Sequence, residues 1–272
     1  MSWVMPPGLA ERAARFAAEG GTPPEPRVAA TVVLLRSAHT GFEAYAIRRA
    51  ATMAFGGMYA FPGGGVDPSD SDATIGWAGH EPAWWAERLR LPVGQARAVV
   101  CAAVREVFEE AGVLLAGPSA DSVVADAAAP RWEAARLALV AREQSLTGFL
   151  GSVGLSLRSD LLVPWSRWIT PEFEPRRFDT YFFLALLPEG QLTRDVSGEA
   201  DHTLWLRPAD AVRDYAAGEL PMLPPTAATL AQIAEHPDVP TLLRAAAQRD
   251  AGAPVSPRVV KAADGTLRLA VG

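Results

Sequence analysis

The sequence predicts an α/β fold, a sheet of buried strands with helices packed on it, from three stretches of the chain. Val28 to Leu35 is a nearly continuous β-branched and apolar run, the pattern of a strand buried on both faces. Val100, Val104, Val107, Phe108 and Ala111 recur at helical spacing and make an apolar stripe that fits against such a sheet, with Gly112 as the helix stop. Phe178 to Leu186 reads as a further core strand, entered through the polar Arg176 and Arg177.

Taken in order, residues 8 to 19 form a short Ala-rich helix closed by the Gly/Pro linker Gly20 to Pro26. Phe42 to Ile47 pairs with the first strand across the His39-Thr40-Gly41 turn and ends in Arg48-Arg49. Two arginines at a strand end are either a solvated edge or, beside a loop that holds a diphosphate, a fork for phosphate oxygens. A glycine loop follows, Phe61-Pro62-Gly63-Gly64-Gly65-Val66-Asp67-Pro68-Ser69-Asp70, in which glycines let backbone approach a ligand closely. Residues 71 to 97 hold Trp77, His80, Trp84 and Trp85 among glycines and prolines, and form either a flap that packs its tryptophans on the core or a lid over a pocket. His80 has no His or Cys companion at ligand spacing, so no zinc site is read there.

Beyond the central helix, Val113 to Ala116 is expected as a short strand and residues 119 to 154 as two or three Ala-rich helices forming a cap. Pro224 to Arg249 reads as two helices interrupted by Pro237 and Pro240, and Arg258 to Val271 as a hairpin around Asp264-Gly265. The organisation expected is an N-terminal helix and linker (1–26), one main domain (27–218) with an insertion (71–97) and a helical cap (119–154), and a C-terminal segment (219–272). That last segment packs on the domain or takes part in a homodimer.

With 272 residues, 49% hydrophobic and 21% charged, the composition is that of a globular chain. A net charge of -6 argues against nucleic acid as the partner, because such binding is largely phosphate neutralisation by Lys and Arg. The single Cys101 excludes an internal disulfide and reads as a small core residue. No apolar run of membrane-spanning length and no basic-then-apolar leader is present, so a cytoplasmic location is expected, with no membrane partner.

The chemistry gathers at Arg105-Glu106-Val107-Phe108-Glu109-Glu110-Ala111-Gly112-Val113. Glu106 lies one helical turn from Glu109 and Glu110, so three carboxylates share a side. Alone, the pattern suits a solvated acidic face at least as well as a site for a hard divalent cation such as magnesium. With the glycine loop upstream it resembles the Nudix box, G-x5-E-x7-R-E-U-x-E-E-x-G-U with U aliphatic. The second half matches at every specified position. Aligned on Gly64, the first Glu of the box is replaced by Asp70, and 34 residues separate Asp70 from Arg105 where the pattern has seven, an insertion of about 27.

The resemblance implies a Nudix α/β/α sandwich with a mixed sheet, a box split by the insertion, and helical additions. It implies Glu106, Glu109 and Glu110 as ligands to magnesium, with manganese as the alternative, and the Gly64 carbonyl as a further ligand. Glu106 is a ligand or the base, and Glu109 and Arg105 complete the catalytic set, Arg105 orienting the carboxylates by salt bridges. Glu199 sits where many members carry a base or extra ligand. Substrate contacts fall to Arg48, Arg49, Gly63, Gly65 and Asp70. Trp168-x-Thr170-Pro171 and Arg176-Arg177-Phe178-Asp179-Thr180, with the split box, are similar to the insertion-bearing subfamily that includes the peroxisomal acyl-coenzyme A diphosphatases. The implied substrate is a nucleoside diphosphate derivative, coenzyme A or an acyl-coenzyme A, cleaved to 3',5'-ADP and a phosphopantetheine fragment. An ADP-ribose or dinucleotide pyrophosphatase, and a catalytically idle ligand-binding sensor, are the alternatives.

Overall fold

The computed structural model describes residues 2–5, 7–51, 56–196 and 200–271. The chain opens with β1 (Ser2–Val4) and α1 (Pro7–Glu19). The sheet begins with β2 (Arg27–Ser37) and β3 (Phe42–Arg49), followed by the short β4 (Tyr59–Ala60) and β5 (Gly63–Gly65). Next come β6 (Trp77–Ala78), α2 (Pro82–Leu89), α3 (Val93–Ala111), β7 (Ala116–Gly117), α4 (Pro130–Val140), α5 (Leu146–Ser152) and β8 (Ser156–Arg158). The remainder is β9 (Leu162–Ile169), β10 (Phe178–Leu186), β11 (Ala200–Leu206), α6 (Pro208–Ala216), α7 (Pro224–Ile233), α8 (Val239–Ala247), β12 (Pro254–Val255), β13 (Arg258–Lys261) and β14 (Leu267–Ala270).

The main sheet runs β11-β3-β2-β10-β9-β12 and is mixed: β2 and β10 are parallel, and β2 is antiparallel to β3. β2 is long enough to serve two partners on one edge. Its end pairs with β3 through Leu35 to Ser37, and its start pairs with the glycine strand β5 through Ala29 to Thr31. Side chains alternate between two apolar layers, as a strand's period of two requires. Ala30, Val32, Leu34, Tyr181 and Phe183 face α2 to α5, whereas Val33, Leu35, Phe182 and Leu184 face α6 to α8. The sandwich expected from the sequence is therefore present, with helices on both faces of a mixed sheet. A third layer holds Met5, Ala13, Phe173 and Leu269, where β1 pairs with β14 and the 258–270 hairpin turns through Gly265 at φ 84.

Two local expectations, at Val113 to Leu115 and at Pro240, are corrected. Residues Val113 to Leu115 are buried but not a strand, which begins only at Ala116. The Gln191 side chain takes the place of a neighbouring strand there, accepting from the Leu114 amide at 2.8 Å and donating to the Leu114 carbonyl at 3.0 Å. The 71–97 segment holds α2 and the first turn of α3. Trp85 is fully buried with its ring 5.8 Å from Phe183, edge to face, while His80 stacks on Trp84 at 3.9 Å. Pro240 starts α8 rather than breaking it, since a proline in the first turn withdraws no helical hydrogen bond.

Candidate active site

α3 carries the site because its apolar stripe fixes its rotation. Val100, Val104, Val107, Phe108 and Ala111 are wholly buried against the sheet, and the helix ends at Gly112 in the left-handed conformation, φ 68. That rotation turns Arg105, Glu106, Glu109 and Glu110 toward β5, the glycine strand. The acidic side of the helix is not solvated, for Glu106 and Glu110 are each only 8% exposed.

Arg105 is the hub. Its Nε and Nη2 donate to the two oxygens of Asp70 at 3.0 and 2.9 Å, Nη2 also to the Gly65 carbonyl at 2.9 Å, and Nη1 to Glu106 at 2.7 Å and Glu109 at 3.3 Å. Asp70 is 2% exposed and lies in a short turn, Pro68–Ser71, closed by a capping box: the Asp67 amide donates to Asp70 Oδ2 and the Ser69 amide to Asp67 Oδ1. Asp70 was expected to touch substrate; the structure instead engages both of its oxygens within the protein. The carboxylate that should follow the glycine by six residues is thus back in contact with Arg105, on the far side of the insertion.

The glycines meet the carboxylates directly. The Gly63 amide donates to Glu110 Oε2 at 2.8 Å. A Cβ on Gly64 would lie 2.4 Å from Glu106 Oε1, and one on Gly63 would lie 2.5 Å from the Ala30 carbonyl of β2, while Gly65 faces open space. Burial raises the carboxyl pKa of Glu106 to about 7, with Arg105 opposing the shift, and raises that of Glu109 in the same way. Burial by itself would weaken protonation of Arg105, but Asp70 and Glu106 outweigh it and hold its pKa above the ordinary value.

All the donors are hard oxygens, buried beside backbone that no side chain screens, which fits magnesium or manganese in kind. Among the described residues no three Asp, Glu, His or Cys side chains converge to the spacing of a ligand shell. Arg105 draws Glu106 and Glu109, and the Gly63 amide draws Glu110.

Two other residues singled out from the sequence, Arg48 and Arg49, end β3. Arg48 pairs with Asp201 of β11 at 2.6 Å on an exposed surface, and Arg49 pairs in register with Ala200. Glu199 lies outside the described residues. The sequence reading missed a clamp on the end of α3. Arg136 donates to the Glu109 carbonyl at 2.8 Å and pairs with Glu133, which also pairs with Arg194, and the Arg194 amide donates to the Ala111 carbonyl at 3.0 Å. Glu133 and Arg136 stand at helical i,i+3 spacing, a signal of pairing; the contact with Glu109 has no counterpart in the sequence.

A model of the NUDT19 Nudix domain matches residues 81–233, more than half of the chain. The chain belongs to the Nudix hydrolases. The crystal structure of a NUDIX hydrolase from Alicyclobacillus acidocaldarius is 30% identical, covers 84% of this chain and 99% of its own, and superposes with a TM-score of 0.67. Two curated relatives are 28% identical to this Nudix chain. One is Putative nudix hydrolase 7 of Caenorhabditis elegans, over 178 residues and 65% of the chain; the other is Acyl-coenzyme A diphosphatase NUDT19 of Xenopus laevis, over 144 residues and 48% of the chain. The aligned parts span 50% and 38% of those two proteins. Among the described residues no helix is long and apolar enough to cross a membrane.

Proposed function

We propose that this Nudix hydrolase cleaves the diphosphate of coenzyme A or an acyl-coenzyme A to 3',5'-ADP and the (acyl-)phosphopantetheine. The observation that carries a diphosphatase reading is the seating of Glu106 and Glu110 against Gly64 and Gly63, because buried carboxylates beside bare backbone suit a cation that bridges to a polyanion. The choice of coenzyme A is supported by the likeness to the Xenopus protein of that name.

In this reading Glu106, Glu109 and Glu110 hold magnesium or manganese, with the Gly64 carbonyl as a further ligand. The ion would supply positive charge against the diphosphate and acidify the attacking water. Glu106, buried and raised toward neutrality, is suited to hold or release a proton near physiological pH. Arg105 orients Glu106 and Glu109, and Asp70 orients Arg105. Glu199 is the second candidate for a base or ligand, and Arg48 and Arg49 remain candidates for phosphate contact.

The test is a panel of coenzyme A, acyl-coenzyme A, ADP-ribose and NADH with magnesium, products identified by mass. Release of 3',5'-ADP supports the proposal. AMP from the last two alone would make the protein an ADP-ribose or dinucleotide pyrophosphatase, and binding without turnover would make it a sensor.

A further inference from the structure

We propose that Arg136 of α4, held in place by Glu133, is a positioning residue that sets the Glu109 and Glu110 carboxylates for the cation; this rests on the metal-dependent diphosphatase reading above. The last four carbonyls of a helix have no partner within it, so the turn that carries the two acids frays unless other segments hold it. Here they do. The Gly112 amide donates to the Phe108 carbonyl at 3.0 Å, Arg136 Nη1 to the Glu109 carbonyl at 2.8 Å, and the Arg194 amide to the Ala111 carbonyl at 3.0 Å. One carboxylate governs both arginines. Glu133 accepts from Arg136 Nε at 3.0 Å and Nη2 at 2.6 Å, and from Arg194 Nη1 at 2.7 Å. The Arg194 guanidinium lies against Gly112, where an added Cβ would stand 2.8 Å from its Nε and Nη2.

Glu109 depends on this clamp more than its neighbours do. Glu106 receives Arg105 at 2.7 Å and Glu110 receives the Gly63 amide at 2.8 Å, whereas Arg105 stands 3.3 Å from the Glu109 carboxylate. The Glu109 backbone is thus held more firmly than its side chain. Two guanidiniums at the carbonyl end also offset the negative pole of a helix whose last two turns carry three carboxylates. Arg136 is only 3% exposed, and an apolar side chain in place of a buried charge pair is commonly as stable. What the arginine adds is therefore the geometry of the turn it holds.

The full-length chain is compared with Arg136→Met, Arg136→Lys and Glu133→Gln. Asp238→Ala is the control: it removes the cap of α8, on the other face of the sheet, and should lower Tm by about 3 °C. Mn2+ binding is titrated by the electron paramagnetic resonance of the free ion. In parallel, kcat and KM are measured with magnesium on whichever diphosphate the panel identifies, at a temperature where every variant is folded by circular dichroism. Mn2+ affinity and kcat are each expected to fall about 10- to 100-fold in Arg136→Met, the range found when a group that orients metal ligands is removed, with KM within about twofold. Arg136→Lys recovers part of both losses, Glu133→Gln shows a smaller loss of the same kind, and Asp238→Ala matches wild type in both. If Arg136→Met does not fold, Glu133→Gln decides on the same two readouts. Wild-type Mn2+ affinity and kcat in the clamp variants overturn the proposal, and so does an equal loss in Asp238→Ala, which would tie the effect to stability alone. A wild type that binds no Mn2+ refutes the metal reading of Glu109 and Glu110 and removes the proposal with it.

Discussion

The three consecutive glycines of β5 should respond to alanine in three different ways, and the differences follow from what each new Cβ would strike. At Gly64 the Cβ would lie 2.4 Å from Glu106 Oε1, 2.7 Å from its Cδ and 2.8 Å from Oε2. An ordinary contact of about 3.5 Å requires the carboxylate to retreat by about 1 Å. The obstacle is the end of a flexible side chain, so the fold should lose only about 1 kcal/mol, the scale of one displaced rotamer, or ~3 °C in Tm. Misplacement of a catalytic group by 1 Å is instead worth on the order of 100-fold in rate.

At Gly63 the obstacles are the Ala30 carbonyl at 2.5 Å and Thr31 Cα at 2.8 Å, which are backbone of the paired strand β2. Gly63→Ala should therefore cost stability first, about 1–3 kcal/mol or more. At Gly65 no heavy atom lies within 4 Å, so stability should hold within about 0.5 kcal/mol, and any loss of turnover there would report substrate against that residue. Thermal melts and kcat with magnesium, on whichever diphosphate the panel identifies, measure all three. Gly64→Ala with wild-type kcat, or with a stability loss equal to that of Gly63→Ala, would refute the claim that Gly64 exists to admit the Glu106 carboxylate.

Further outcomes follow from the same geometry. Glu109→Gln and Glu110→Gln should each lower turnover by on the order of 100-fold or more through loss of charge, with folding little changed, because glutamine keeps an acceptor for Arg105 or the Gly63 amide. Parallel loss of urea stability and activity would count against this. Asp70→Ala leaves the Arg105 guanidinium buried without its bidentate partner and should cost about 3–5 kcal/mol in urea unfolding; a drop below 1 kcal/mol would mean that the hub does not depend on it. Glu133, held down to about 2 chiefly by Arg136 and then by Arg194, stabilises the fold above the ordinary carboxylate pKa of about 4.3 and loses that contribution as pH falls toward 2. Glu133→Gln should therefore melt lower than wild type near pH 7, by on the order of 1 kcal/mol given its partial exposure, with the gap closing below pH 4. A gap that stays constant with pH would rule the ion pair out as its cause.

What could be read in the sequence was whatever depends on local period and composition. The alternation that puts Val32 and Leu34 on one layer and Val33 and Leu35 on the other is dictated by the strand itself, and the stripe from Val100 to Ala111 fixes which side of α3 carries the carboxylates. The box identified Arg105, Glu106, Glu109 and Glu110 as a group even though an insertion divides it. What escaped depends on contacts between distant segments. Val113 to Leu115 looks like a strand by composition, but one glutamine 77 positions away serves the backbone of Leu114. Asp70 and Arg105 meet across 35 positions, so the role of the acid emerges only when both ends of the insertion are placed. Arg136 sits in sequence that reads as a plain Ala-rich cap, and nothing in its period marks it as reaching the end of α3.

Because Arg105, on α3 just after the inserted segment, bonds to Asp70 and the Gly65 carbonyl just before it, one guanidinium staples together the two roots of that segment. The entropy of closing a loop grows only logarithmically, by about 0.6 kcal/mol for each doubling of its length. Stapled roots of this kind make the exposed bend at residues 72 to 74, just before the buried Ile75, a natural port for grafted cargo, such as a reporter peptide or a whole guest domain.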